Sequence, residues 1–214
     1  SSKLKSWVFN HYKFTAYRLT EESSFNDLAN LLVKKKFDFI DGYTNAIFLL
    51  ADYLDKNNIT LEGVKYVLTT AENLHDYQKE LIEKRIGPVF DEFGCGEIMG
   101  IAYQNRFHNQ YAIVDPHVVV EFETKTKTDD GSHPLIITDL DNRIMPLIRY
   151  KNGDMGVPGA SVEMPNLPFS NMASVSGRIS DIIDLPNGGR LVIPSFFGSV
   201  LLKEVNSIRQ YQIE

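Results

Sequence analysis

The spacing of apolar and polar residues changes character near Ile101. Ahead of it, apolar positions recur at helical intervals. Phe25, Leu28, Leu31 and Leu32 line one side of a segment from Ser24 to Val33, with Ser23 and Ser24 as its capping pair. Ile47, Phe48, Leu50, Ala51 and Leu54 repeat the pattern from Thr44 to Leu54. Val64 to Thr69 is a short, β-branched-rich run of the kind that forms a buried parallel strand. Leu74 to Ile86 returns to helical spacing and stops at Gly87-Pro88, with Lys84 and Arg85 in the last turn. Pro88 to Glu92 offers a second, shorter strand. Parallel strands joined by a helix leave their carboxyl ends on one edge of the sheet, where open α/β sheets bind ligands. Two polar loops, Thr69-Thr70-Ala71-Glu72 and Gly94-Cys95-Gly96-Glu97, are therefore expected at that edge.

Beyond Ile101 the signals are β-like. Val118 to Thr124, Leu135 to Thr138 and Pro146 to Tyr150 read as strands, separated by turns at Asp129-Asp130-Gly131 and Leu140-Asp141-Asn142. Asp181 to Leu185 and Arg190 to Ile193 flank Pro186-Asn187-Gly188-Gly189, a hairpin signal. Ser195 to Ile208 carries Phe197, Val200, Leu201 and Val205 at helical spacing. The fold class expected is α/β: a parallel βαβ layer, then a mostly antiparallel β subdomain, then the start of a small α+β domain. The divisions fall at residues 1–100, 101–179 and 180–214.

Composition narrows the function classes. The 214 residues are 43% hydrophobic, enough for one substantial core or two smaller ones. Lys and Arg total 22 against 28 Asp and Glu, so the net charge of −6 argues against a nucleic-acid surface. Lys34-Lys35-Lys36 reads as a solvated helix end, where cations are favoured. Trp7, Phe9, Tyr12, Phe14 and Tyr17 read as strand or core aromatics. The single cysteine excludes an internal disulfide and fits a reducing compartment, and no apolar run is long enough to cross a bilayer. A cytoplasmic protein is expected; oligomeric state has no sequence signal.

Three short motifs follow in order: FGCGE at Phe93 to Glu97, IRYKNGDMG at Ile148 to Gly156, and GRISDII at Gly177 to Ile183. VLTTAENL at Val67 to Leu74 and IRQYQIE at the end agree with them. As an ordered set they resemble the adenylate-forming enzymes, the superfamily of acyl-CoA synthetases, luciferase and peptide-synthetase adenylation domains. The branch they resemble most is the phenylacetate–coenzyme A ligase and capsular-polysaccharide-biosynthesis group. The resemblance runs from Asp41 onward.

That resemblance implies ATP and AMP as ligands, Mg²⁺ as their counter-ion, a small carboxylic acid as substrate and coenzyme A, an amine or a hydroxyl as acceptor. Glu97 matches the acidic residue that helps hold Mg²⁺ on the ATP phosphates; a hard cation takes few carboxylates beside phosphate oxygens. Asp154 matches the aspartate that accepts from the two ribose hydroxyls of AMP. Arg178 matches the arginine that contacts the nucleotide, and with Glu97 it is the implied catalytic pair. Ala71 and Glu72 match the loop lining adenine and the acyl pocket, mainly through backbone. Phe93, Gly94 and Gly96 complete the implied nucleotide contacts, with the Phe93 ring available to cover adenine. Met99, Ile101 and Tyr103 are candidates to shape the acyl pocket, and Ser180-Asp181 falls where the family hinge lies.

Gly96 stands where many members carry Thr, and Phe93 where Tyr is commoner. The Ser/Thr/Gly-rich phosphate loop and the C-terminal catalytic lysine are not in this chain, so it reads as an internal fragment of a longer protein. The plainer readings are specific. Gly94 and Gly96 make a tight turn, Asp154 is an ordinary turn residue, and Arg178 is a surface ion-pair partner. His108, His117 and His133 lack a closed zinc spacing, and Cys95 has no paired histidine. A non-catalytic nucleotide-site-derived scaffold or partner-binding module is the alternative to an enzyme.

Overall fold

A computed structural model describes residues 11–15, 22–105, 109–125, 128, 130–160, 169–179, 182–184 and 190–192. Three helices and nine strands form its main body: α1 (Glu22–Lys35), β1 (Phe39–Tyr43), α2 (Thr44–Lys56), β2 (Tyr66–Thr70), α3 (Asp76–Arg85), β3 (Val89–Phe93), β4 (Ala102–Gln104), β5 (Tyr111–Ile113), β6 (Val118–Phe122), β7 (His133–Asp139), β8 (Asp154–Pro158) and β9 (Asn171–Arg178). β10 (Ile182–Asp184) and β11 (Arg190–Val192) pair antiparallel as a separate hairpin.

The nine strands share one sheet in the order β1-β2-β3-β4-β5-β9-β8-β7-β6. β1, β2 and β3 run parallel; every later pairing is antiparallel. The expected switch from α/β to antiparallel β is therefore real, and it happens within a continuous sheet. Tyr43, Thr70 and Phe93 end the parallel strands on one edge, as parallel pairing through helical crossovers requires.

The core has two parts. Leu28, Leu32, Ile47, Leu50, Leu54 and Ile82 bring the helices onto Val67 and Val89 of the parallel strands. Phe93, Ile98 and Ile101 join Val118, Leu135, Ile137 and Met172 in the second cluster. β3 and β7 are well apart in the sheet order, so sharing one core means that the antiparallel part curls back over the loop after β3. That curling positions the site.

Several expectations need correction. Ser23 and Ser24 lie inside α1 rather than capping it; the helix already includes Glu22, an acidic residue favoured in a first turn. Pro146 to Tyr150 is not a strand. Arg149 sits at φ 52° and breaks the extended chain, leaving a single bridge between Tyr150 and Ile137. β1, β4, β5, β8 and β9 carry no run that alternation could reveal: β4 and β5 have three residues each, and β8 contains Gly156 and Pro158. Tyr12 is half exposed with Lys35 over its ring, whereas Phe14 packs on the first cluster. Trp7, Phe9, Tyr17, His108, the Pro186–Gly189 turn, Ser180-Asp181 and the helix at Ser195 to Ile208 lie outside the described residues. Among the described residues no helix is long and apolar enough to cross a membrane.

Candidate functional site

Glu97 stands in the loop between β3 and β4. That loop is a tight fold-back: the Cys95 N–H donates to Ile98 O at 2.8 Å, and Ile101 N–H donates to Phe93 O at 2.9 Å. A Cβ on Gly94 would lie 3.0 Å from Gly100 N, so glycine is needed there for close approach. Gly96 has nothing within 4 Å of its Cβ position, so space, not the turn, surrounds it. Glu97 is fully exposed, and its Oε1 accepts the Tyr150 hydroxyl at 2.9 Å. That bond, with smaller help from Cys95 and the Arg178 charge, holds the carboxyl below its usual range. The same bond pushes the Tyr150 hydroxyl upward, because removing its proton would face a carboxylate.

Asp154 opens β8 opposite Arg178, which closes β9. Asn152-Gly153-Asp154 forms a local turn in which the Asp154 N–H donates to Asn152 Oδ1 at 3.1 Å. Asn152 Nδ2 donates to Asp154 Oδ2 at 2.6 Å, and Arg178 Nε stands 3.4 Å from Oδ1. The carboxylate is nearly buried, at 8% exposure for the residue, while the Arg178 side chain is 66% exposed. The arginine thus covers a buried anion and keeps much of its fork in solvent. The Ile179 N–H donates to Gly153 O at 2.8 Å and fixes the two strand ends against each other.

Glu97 and the Asp154–Arg178 pair therefore converge: Tyr150 bonds Glu97, Asn152 bonds Asp154, and the Arg178 charge acts on both carboxyls. Strand direction alone puts Arg178 at the edge opposite the end of β3; the curled sheet brings it back. Tyr150 and Asn152 belong to a motif that the sequence singles out, but only the fold shows what their side chains hold.

The loop after β2 shares the edge but is organised toward the helices. Ala71 takes φ 70°, a left-handed conformation that costs a non-glycine residue about 1–2 kcal/mol. Glu72 caps α2: its Oε2 accepts the Asn45 N–H at 2.9 Å, and its carbonyl accepts the fully buried Thr44 hydroxyl at 2.8 Å. Gln78 Nε2 donates to Asn45 Oδ1 at 3.0 Å and ties α3 into the same network. The Glu72 side chain and carbonyl are thus directed at a helix end rather than at an open edge.

Three other expectations are redistributed. Phe93 is packed in the second core cluster rather than offered as an open ring. Ile101 is fully buried and Met99 is 78% exposed, so they do not line one surface; Tyr103 reaches Glu92 at 3.5 Å. His117 bonds Asp141 and Met99, and burial raises the Cys95 thiol. Among the described residues no group of three or more His, Cys, Asp or Glu side chains could hold a metal ion by itself. The surface depression lined by Lys65, Tyr66, Lys79, Glu83 and Phe90 lies at the starts of β2 and β3, away from this site.

No protein-family profile matches the chain. It is 31% identical over 193 residues to the protein CapK of Staphylococcus aureus, a match covering 86% of this chain and 41% of CapK. Its fold is similar to 2-hydroxyisobutyryl-CoA ligase, solved in an open conformation with 2-HIB-AMP and CoA: TM-score 0.65, 16% identity, 85% of this chain and 45% of that one. The amide bond synthetase McbA from Marinactinospora thermotolerans is also similar, with TM-score 0.59, 13% identity, 86% of this chain and 40% of that one. The chain spans less than half the length of these proteins. The CapK match and the shared architecture agree with the resemblance to the adenylate-forming superfamily that the ordered motifs carry.

Proposed function

We propose that this chain is the nucleotide-cradling part of an ATP-dependent, cytoplasmic carboxylate-activating enzyme. A carboxylate oxygen of a small acid attacks the α-phosphorus of ATP, pyrophosphate leaves, and an acyl-adenylate forms. A thiol, with coenzyme A as the first choice, then attacks the acyl carbon and AMP leaves. Asp154 accepts from the ribose hydroxyls, Arg178 bonds ribose and phosphate oxygens through its exposed fork, and Ala71 borders the base. Residues 180–214 begin the small domain that turns between the two steps.

The observation that carries this reading is the convergence of Glu97 and the Asp154–Arg178 pair from distant parts of the chain. An exposed, ionised carboxylate with one oxygen already oriented by Tyr150 fits a Mg²⁺ ion that takes its other ligands from phosphates and water. Bound there, the ion would offset negative charge on the phosphates.

The scaffold alternative has one observation in its favour: both Asp154 oxygens already meet side chains of this chain, Arg178 and Asn152. Calorimetry with AMP separates the two. The enzyme reading expects AMP binding that Asp154→Ala abolishes; binding indifferent to that substitution, or none, supports the scaffold. For the whole protein, ATP–pyrophosphate exchange across aryl and short-chain acids tests the reaction itself.

A further inference from the structure

His117 precedes β6 and touches two loops at once. Its Nδ1 lies 2.6 Å from Asp141 Oδ2, and its Nε2 lies 3.0 Å from Met99 O. Both partners are acceptors. A neutral imidazole carries one N–H and can satisfy only one of them; the imidazolium satisfies both. The backbone repeats the attachment, since the Leu140 N–H donates to His117 O at 3.0 Å.

The two loops matter because of what they carry. Met99 closes the fold-back that presents Glu97. Asp141 belongs to the excursion that leaves β7 at Asp139 and returns at Tyr150. Asp139 Oδ1 accepts the Asp141 and Asn142 N–H groups and keeps the turn rigid. His117 joins these loops at one end and the Tyr150–Glu97 bond joins them at the other.

We propose that His117 is a positioning residue for Glu97: its doubly protonated ring fastens the Glu97 loop to the loop that presents Tyr150. The functional half of this inference rests on the nucleotide reading of Glu97; the clamp itself does not. The carboxylates facing the ring are Asp141 and, further off, Asp139, and they hold the imidazolium above its ordinary range, with Asp141 the main cause. A group with a raised folded pKa contributes below its unfolded value and ceases to contribute as pH rises through the folded one. The clamp is thus closed at mildly acidic pH and released toward alkaline pH.

Hydrogen exchange at the Cys95 and Ile101 amides, corrected for the intrinsic pH dependence of exchange, reads the clamp directly. Protection is expected to fall about tenfold as pH rises through the His117 transition, the scale of one charge-assisted hydrogen bond. Asp141→Asn should move the midpoint of that fall to lower pH, and His117→Phe should remove the pH dependence and leave protection low throughout. Protection that is flat with pH in the unaltered chain, or a midpoint unmoved by Asp141→Asn, overturns the clamp. MgATP affinity tests the functional half, with several-fold weakening expected in His117→Phe. Equal affinity in both chains refutes positioning of Glu97, whereas no MgATP binding by the unaltered chain refutes the nucleotide reading and leaves exchange to decide the clamp.

Discussion

Tyr150 donates its hydroxyl to Glu97 Oε1 at 2.9 Å across 53 residues of chain. Glu97 is exposed and Tyr150 only half-buried, so the bond orients the carboxylate more than it stabilises the fold. Arg178 adds its charge from β9 and Asp154 adds its own to Tyr150. Four residues from three segments are thus electrostatically one group, and a change at one is felt by the others.

Tyr150→Phe is expected to raise the Glu97 titration midpoint toward the ordinary glutamate range, read by carboxyl carbon NMR. The sign follows from a folded pKa that is depressed. Its stabilising contribution is present above the unfolded value and disappears as pH falls through the folded one. Any stability difference between the two chains should therefore shrink to nothing in acid. A Glu97 midpoint unchanged by the substitution would show that another donor sets it.

Asp91 has the opposite sign. Burial holds its carboxyl up at about 6, even though Tyr111 Oη donates at 2.6 Å and Thr69 Oγ1 at 2.7 Å. The folded chain binds this proton more tightly than the unfolded chain does. Stability from Asp91 therefore increases as pH drops from about 6 toward the ordinary aspartate range. Tyr111→Phe leaves a buried oxygen without a donor and should cost about 1–3 kcal/mol. The cost should be larger at pH 7, where Asp91 is ionised, than at pH 5. Urea denaturation giving equal costs at both would remove Asp91 as the cause.

Thr44→Val keeps the shape of a fully buried side chain and deletes its bond to Glu72 O. The stranded carbonyl should cost about 1–3 kcal/mol and loosen the loop that forces Ala71 into left-handed backbone. Ala71→Gly in the same background should recover part of that loss, because glycine adopts φ 70° without the penalty. Thermal melts of the two single variants and the double variant test the coupling.

The sequence makes the parallel half visible because each element there has one dominant face. Val67 and Thr69 alternate inward on β2, and Leu50 and Leu54 repeat at helical spacing on α2. The antiparallel half is less visible because its strands are short or interrupted by polar residues: β9 buries Ser176, and Asn171 and Ser174 leave it no apolar run. The site divides the same way. Glu97, Asp154 and Arg178 can be picked out by motif, since glycines and turn residues surround them. His117 and the Glu72 cap cannot, because their partners lie 18 to 28 residues away and only the curled sheet brings them near.

The two glycines of the Glu97 loop have separate physical roles, and substitution distinguishes them. Gly94→Ala puts a methyl 3.0 Å from Gly100 N and 3.4 Å from Ile98 O, both backbone atoms that cannot step aside cheaply. Overpacking of this kind costs about 1–3 kcal/mol and should open the fold-back, with faster exchange at the Cys95 amide. Gly96→Thr meets open space and should change stability by no more than about 0.5 kcal/mol. It also supplies a hydroxyl beside Glu97, the group that the family resemblance implies at this position. If that loop faces a nucleotide phosphate, MgATP should bind more tightly to Gly96→Thr, by the several-fold that one added hydrogen bond provides. Unchanged MgATP affinity in a stable Gly96→Thr chain would mean that the loop does not face the phosphates, and Glu97 would lose its assigned role with it.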